Sequence, residues 1–231
     1  MIQMKKLGIN RNGLFSVMGI LLVTKILCFI KLRTIAQLFG VSNELDIFWA
    51  AFTIPDMLFT ILVAGSINAA IIPIFSEVFY KDGKERLDKF FNHLSLIISA
   101  LCIAIALLLF IFTPELTHLI INSAFLQQAL NFSRHIDQQD YDLFILLTRI
   151  MLLSPVLLGF SSIMTAYLQV KRQFFITSLA PLFYNLAFIV GPVIFVVFGK
   201  MGVDGLAISA VLGSLLHLLI QLPTFSSTYS N

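Results

Sequence analysis

Long apolar stretches, broken by short polar ones, repeat along the whole chain. Charged positions fall between the stretches, and within each stretch neither the helical nor the strand period divides apolar from polar. That pattern predicts helices that are apolar all round, the form a lipid environment demands. A spanning helix needs about 20 mostly apolar residues, and six stretches qualify: about 14–39, 47–75, 94–112, 143–168, 175–198 and 203–222. The expected architecture is an all-α integral membrane lobe over 14–222. A basic N-terminal arm, 1–13, precedes it and a tail, 223–231, follows it. The segment KDGKERLDKFFNHL, between the second and third stretches, predicts a short amphipathic helix along the membrane interface.

Composition sharpens this picture. Of 231 residues 58% are hydrophobic and only 12% charged, whereas a soluble domain carries about 25% charged residues. Too few polar groups are present to cover a water-facing surface. Cys28 and Cys102 lie in apolar runs, far apart and without ligand-type neighbours, and read as small buried hydrophobes. The basic start followed by an apolar run resembles a signal peptide, but the run outlasts a typical signal core, so a retained first span is expected.

Charge in the connections predicts orientation. Lys5, Lys6 and Arg11, then Lys81, Lys84, Arg86 and Lys89, then Lys171 and Arg172 share one side of a six-span chain. Arg134 and Lys200 share the other, and nine against two makes the first side cytoplasmic, both termini included. The polar stretch Thr113–Asp142 is then an outer loop. Its His and Asp residues match no metal-ligand spacing.

Three cations do not follow the pattern: Lys25, Lys31 and Arg33, within the first apolar stretch. Lys25 lies roughly 16 Å along the helix from Leu14, near the middle of a hydrocarbon layer about 30 Å thick. Lys31 and Arg33, about 26–28 Å along, are within snorkelling reach of the outer headgroups. A cation at mid-depth costs about 2.5–3.5 kcal/mol even on the lenient insertion scale, so depth points first to Lys25. Lys31 is about 120° around the helix from Lys25, and Arg33 about 80° the other way. The three cannot share one narrow stripe of a straight helix.

Asp46, at the start of the second span, and Asp56, after Pro55, are the anions placed to answer them. Asp46 also suits a helix N-terminus on electrostatic grounds alone. Asp56 is deeper, between Lys31 and Lys25. Asn68, Arg149, Asn185, His217 and Gln221 are further polar groups in apolar spans, where such residues often only bridge helices. No phosphate loop, nucleophile elbow, metal cluster or dinucleotide fingerprint occurs, so no enzyme, cofactor or nucleic-acid partner is indicated. Intramembrane cations in a bundle without other chemistry suit an anionic amphiphile.

Four stretches carry a family resemblance: TKILCFIKLRTIAQLFGVSNELDIFWAAFTIPDMLF, AGSINAAIIPIFSEVF, LLTRIMLLSPVLLGFSSIMTAYLQVKRQFFITSLAPLFYNLAFI and GVDGLAISAVLGSLLHLLIQLP. They resemble, in order, the N-terminal part of the MurJ/MviN family, lipid II flippases of the multidrug/oligosaccharidyl-lipid/polysaccharide exporter superfamily. In that family Lys25 and Lys31 stand at two Arg positions, Phe39-Gly40 at a turn and Asp46 at an acidic position. The resemblance implies a central cavity that these charges line, holding a lipid-linked pyrophosphate, with Arg33 the least involved. It implies membrane lipids and a lipid-linked anionic substrate as partners, in bacterial cell-wall biosynthesis at the inner membrane. It also implies about fourteen spans in two lobes, so this chain reads as one lobe, cut short at its tail or pairing with a second lobe.

The chain departs from the family pattern. Lys replaces Arg at both cavity positions, which keeps charge but loses the bidentate fork. Cys28 stands at a family Gly, Phe59 at a cavity Arg, and Asp56 at a position usually Asn. The cavity is therefore less positive than in typical members. Two alternatives remain open: an exporter of another lipid-linked oligosaccharide or of drugs in the same superfamily, and a non-transporting membrane scaffold or remnant.

Overall fold

A computed structural model describes residues 11–61, 65, 70–122 and 137–230. Its helices are α1 (Arg11–Phe39), α2 (Asn43–Phe59), α3 (Ile72–Ile111), α4 (Thr113–Asn122), α5 (Gln138–Met151), α6 (Leu153–Val170), α7 (Phe174–Pro192), α8 (Val203–Leu219) and α9 (Leu222–Ser230). A π-helical turn, Val193–Phe198, extends α7. Among the described residues no strand occurs, and the fold is an all-α membrane lobe.

Five segments are long and apolar enough to cross a membrane: Phe15–Phe39, Ile72–Ile111, Gln138–Val170, Phe174–Phe198 and Val203–Ser230. The second predicted span, 47–75, runs across 62–64 and 66–69, outside the described residues. Asn68 lies there too, as do Arg134 and His135 of the expected outer loop. Within that loop the structure has a helix, α4, docked on α5: Tyr141 donates from its hydroxyl to the Pro114 carbonyl at 2.7 Å, and its ring lies 4.6 Å from that of His118.

Backbone breakers sit where the helices bend. Gly40, at φ +59°, adopts the left-handed conformation that ends α1, and its N–H closes on the Ala36 carbonyl at 2.9 Å. Ser42 then caps α2, its hydroxyl accepting from the Leu45 N–H at 3.3 Å. Gly83, at φ +81°, kinks α3 near the start of the expected amphipathic segment, and the helix after it runs on into the third span. Pro155 divides the fourth span: its missing N–H and its ring keep α5 and α6 from running as one helix.

Packing is organised around α8, which contacts α5, α6 and α7. The α7–α8 contact is close because small residues line it: a methyl added at Gly191 would collide with Ser209, and one at Gly213 would come 3.1 Å from the Tyr184 ring and carbonyl. Two apolar cores result. One joins Ile35, Phe48, Phe144, Phe188 and Leu206 toward the α1–α2 turn. The other joins Phe75, Leu87, Phe91, Met164 and Tyr167 toward the far end. Helix α1 stands at the edge and packs chiefly along α7. Its outer face exposes Phe15, Met18, Leu22 and Phe29.

The polar groups of the spans are mostly absorbed by structure. Asn185 donates to the Pro181 carbonyl of its own helix at 3.0 Å. Arg149 donates from Nε to the Phe110 carbonyl at 3.3 Å, near the C-terminus of α3, and its guanidinium lies 4.9 Å from the centre of the Phe110 ring. Gln221 bridges α8 to α6 through Ser161 and Thr165.

Candidate functional site

The face that α1 turns to α7 is set by helical geometry. Val17, Leu21, Thr24, Cys28, Lys31 and Ile35 fall within an arc of about 80°. Along that arc Ile35 is buried, and Val17, Thr24, Cys28 and Lys31 are half-buried. Lys31 therefore points to the bundle. Lys25 lies about 80° from the middle of the arc and Arg33 about 160° from it, and both are exposed.

Three helices meet at Lys31. From α7, Phe188 presents its ring, with the Lys31 Nζ 5.0 Å from the ring centre. This is cation–π range, and it gives the ammonium an electron-rich face inside an apolar bundle. From α2, the Asp56 carboxylate is the charged side chain electrostatically coupled to Lys31. No contact ion pair joins them; among the described residues such pairs occur only within α3. Asp56 is exposed. Tyr184 is coupled to the same carboxylate.

An aromatic frame holds these groups. Tyr184 and Phe188, one turn apart on α7, have ring centres 5.3 Å apart. Phe52, one turn before Asp56, meets Phe188 edge-on at 6.2 Å and stacks near Phe48 at 6.0 Å. The Gly213 gap on α8 is what seats Tyr184.

Of the five predicted site residues, Lys31 and Asp56 are brought together. Lys25 and Arg33 lie on other faces of α1, and Asp46 is exposed in the first turn of α2. Sequence reasoning did not single out Phe52, Tyr184 or Phe188. Their signal was faint: aromatics at helical spacing are ordinary in an apolar span. Cys28, at a family Gly position, lies one turn from Lys31 on the same stripe and is coupled to it.

Comparison with known proteins completes the picture. The family model described as Lipid II flippase MurJ matches residues 35–230. The chain belongs to the MurJ family. A Lipid II flippase MurJ of Burkholderia cenocepacia is 27% identical over 212 residues, covering 92% of this chain and 39% of the relative. A probable lipid II flippase MurJ of Buchnera aphidicola is 31% identical over 214 residues, 91% of this chain and 39% of the relative. A third, from Aquifex aeolicus, is 29% identical over 228 residues, 94% of this chain and 42% of the relative. The chain thus spans about two fifths of the length of these MurJ relatives. The family match begins at residue 35, after Lys25, Lys31 and Arg33.

Proposed function

We propose that this MurJ-family lobe binds the pyrophosphate of a lipid-linked peptidoglycan precursor in the bacterial inner membrane and serves its translocation. The observation that carries this reading is the placement of Lys31, half-buried on the α7-facing stripe of α1, beside Phe188 and Asp56. A cation kept at membrane depth needs an anionic partner. Asp56 is near enough to be coupled and is not closed on it, which leaves room for a ligand to displace the carboxylate. In the empty state Asp56 offsets Lys31; in the loaded state the diphosphate does.

Lys25, Arg33 and Asp46 belong to the same reading in outer roles. The two cations, exposed on other faces of α1, draw an anionic headgroup toward the lobe; Asp46 stands in the first turn of α2, beyond the α1–α2 turn. A second lobe, on this chain's own continuation or on another chain, supplies the opposite wall, and movement of one lobe against the other gives alternating access. The nine-to-two bias of connecting cations puts the Lys81–Lys89 segment and both termini on the cytoplasmic side.

The direct test is co-purification of a polyprenyl diphosphate with the chain, read by native mass spectrometry, for wild type and Lys31→Ala. Equal occupancy in the two removes the reading. Transport by the 231-residue chain alone in liposomes would remove the requirement for a second lobe.

A further inference from the structure

Arg172 holds the left-handed backbone at φ +61°; among the described residues other than glycine, Lys200 at φ +54° is the second to do so. A Cβ is crowded in that conformation, and glycine is the residue that takes it without strain. Around Arg172 the backbone closes helix α6 by itself. The Arg172 N–H meets the Gln169 carbonyl at 2.9 Å, and the Gln173 N–H meets the Leu168 carbonyl at 2.9 Å. Glycine is the common residue at the centre of this closure. The guanidinium adds nothing to it: the Arg172 side chain is exposed and has no hydrogen-bond or ion-pair partner among the described residues. Where a strained residue persists without a structural use, its side chain is the place to look for function.

A cavity of about 420 Å³ lies beside it, between α1, α2, α6, α7 and α8. Gln169 and Phe174, on either side of Arg172 in the chain, both line it, so the α6–α7 connection forms part of its rim. No residue of 193–203, around Lys200, does. The lining has no charged side chain. Arg172 is thus a cation at the edge of an uncharged chamber.

Most other cations of the second and fourth connections are engaged. Lys171 lies over the Phe79 ring, its Nζ 4.4 Å from the ring centre. Lys81 and Lys89 pair with Glu77 and Glu85, each one turn earlier on α3, and Lys84 donates to the Tyr229 carbonyl at 2.6 Å. Arg86 is exposed on α3, a helix that contributes nothing to the cavity lining. Arg172 alone of this set combines an unengaged guanidinium with a place at the rim.

The position is distinct from that of Lys31. Phe174, two residues after Arg172, and Phe188, which faces Lys31, are about 21 Å apart along α7. One diphosphate cannot touch both cations, so they form two stations, one at the rim and one in the bundle. Their chemistry differs too. Arg172 supplies the planar, two-pronged donor that matches a pair of phosphoryl oxygens, which a Lys lacks.

We propose that Arg172 captures the phosphoryl headgroup of a lipid-linked diphosphate at the α6–α7 rim, ahead of Lys31. That the two stations act in series rests on the reading of Lys31; capture at Arg172 does not. A phospholipid phosphate presents the same oxygens, and the test separates the two sources. The chain in lipid nanodiscs is loaded with a polyprenyl diphosphate and read by native mass spectrometry. Wild type carries two diphosphate lipids at saturation, and a large excess of phosphatidylglycerol does not displace the second. Arg172→Gly lowers the doubly loaded fraction at least about fivefold. Its melting temperature does not fall, because glycine suits φ +61°. Arg172→Asn, which also tolerates that backbone, behaves alike. Arg172→Lys keeps part of the second binding, and Arg86→Ala keeps all of it.

A single lipid on wild type at saturation, displacement by phosphatidylglycerol, or an equal loss in Arg86→Ala overturns the capture site. So does a melting temperature that falls together with binding in both Arg172→Gly and Arg172→Asn, which marks Arg172 as a structural cap. Lys31→Ala reads the other station. If it leaves two lipids bound while Arg172→Gly leaves one, the Lys31 reading fails and the capture site stands.

Discussion

The Lys31 ammonium lies 5.0 Å from the centre of the Phe188 ring, a contact between the edge helix α1 and the packed helix α7. The ring faces a cation that also feels Asp56 across from α2. This relationship decides which of the three cations in the first span faces the bundle. Lys31→Ala is expected to lower polyprenyl diphosphate occupancy at least about tenfold, near 1.4 kcal/mol. Lys25→Ala, on an exposed face, should lower it by less than about threefold. Lys31→Arg should preserve binding, since Arg keeps the charge and adds the fork. Native mass spectrometry at matched expression measures all three; a larger loss at Lys25 than at Lys31 would refute the assignment.

Much of this was legible in the sequence, because membrane depth follows from counting residues along a helix. Lys25 and Asp56 stood out as charges where charge is costly, with Lys31 nearer the headgroups. Which cation faces inward was less legible. Depth favours Lys25, whereas facing depends on where α7 docks against α1, far away in the sequence. The partners of Lys31 were hidden for a related reason: Tyr184 and Phe188 are apolar-compatible residues in an apolar helix. Asn185, the conspicuous polar residue between them, satisfies its own helix instead. His217 and Gln221 were seen as helix-bridging groups, and they do bridge to α6; the cavity beside them depends on five helices at once.

The aromatic frame gives a stability prediction. Gly213→Ala would place a methyl 3.1 Å from both the ring and the carbonyl of Tyr184, so that Tyr184 must shift by a few tenths of an ångström at the close α7–α8 contact. Overpacking of this kind costs about 1–3 kcal/mol. The variant should melt at lower temperature in detergent and, by shifting Tyr184, weaken lipid binding although no charge has changed. An unaltered melting profile would mean that α7 and α8 separate more easily than this contact implies.

Orientation has its own test. With Cys28 and Cys102 replaced by Ala, Val41→Cys marks the exposed α1–α2 turn and Asp82→Cys the exposed segment before the Gly83 break. A membrane-impermeant maleimide applied to whole spheroplasts should label Val41→Cys and spare Asp82→Cys until the membrane is opened. Labelling in the opposite order would invert the lobe and place its cation-rich connections outside.

Asp56 distinguishes an anion site from a site for cationic amphiphiles. Its carboxylate is coupled to Lys31 and to Tyr184, yet it is exposed and in no contact ion pair. If it is a stand-in that an incoming diphosphate displaces, Asp56→Asn removes a competitor and a repulsive charge while keeping nearly the same shape. Diphosphate binding should then tighten by roughly three- to tenfold, about 0.7–1.4 kcal/mol. The gain must run through Lys31, because an anion with no cation to meet has nothing to compete for. In the Lys31→Ala background Asp56→Asn should therefore add much less, and the double-mutant cycle should show coupling between the two sites. Weaker binding by Asp56→Asn alone would mean that the carboxylate holds Lys31 in place instead of competing for it. Loss of binding to a lipophilic cation such as tetraphenylphosphonium, with diphosphate binding unchanged, would assign Asp56 to a cationic cargo and favour the drug-exporter alternative.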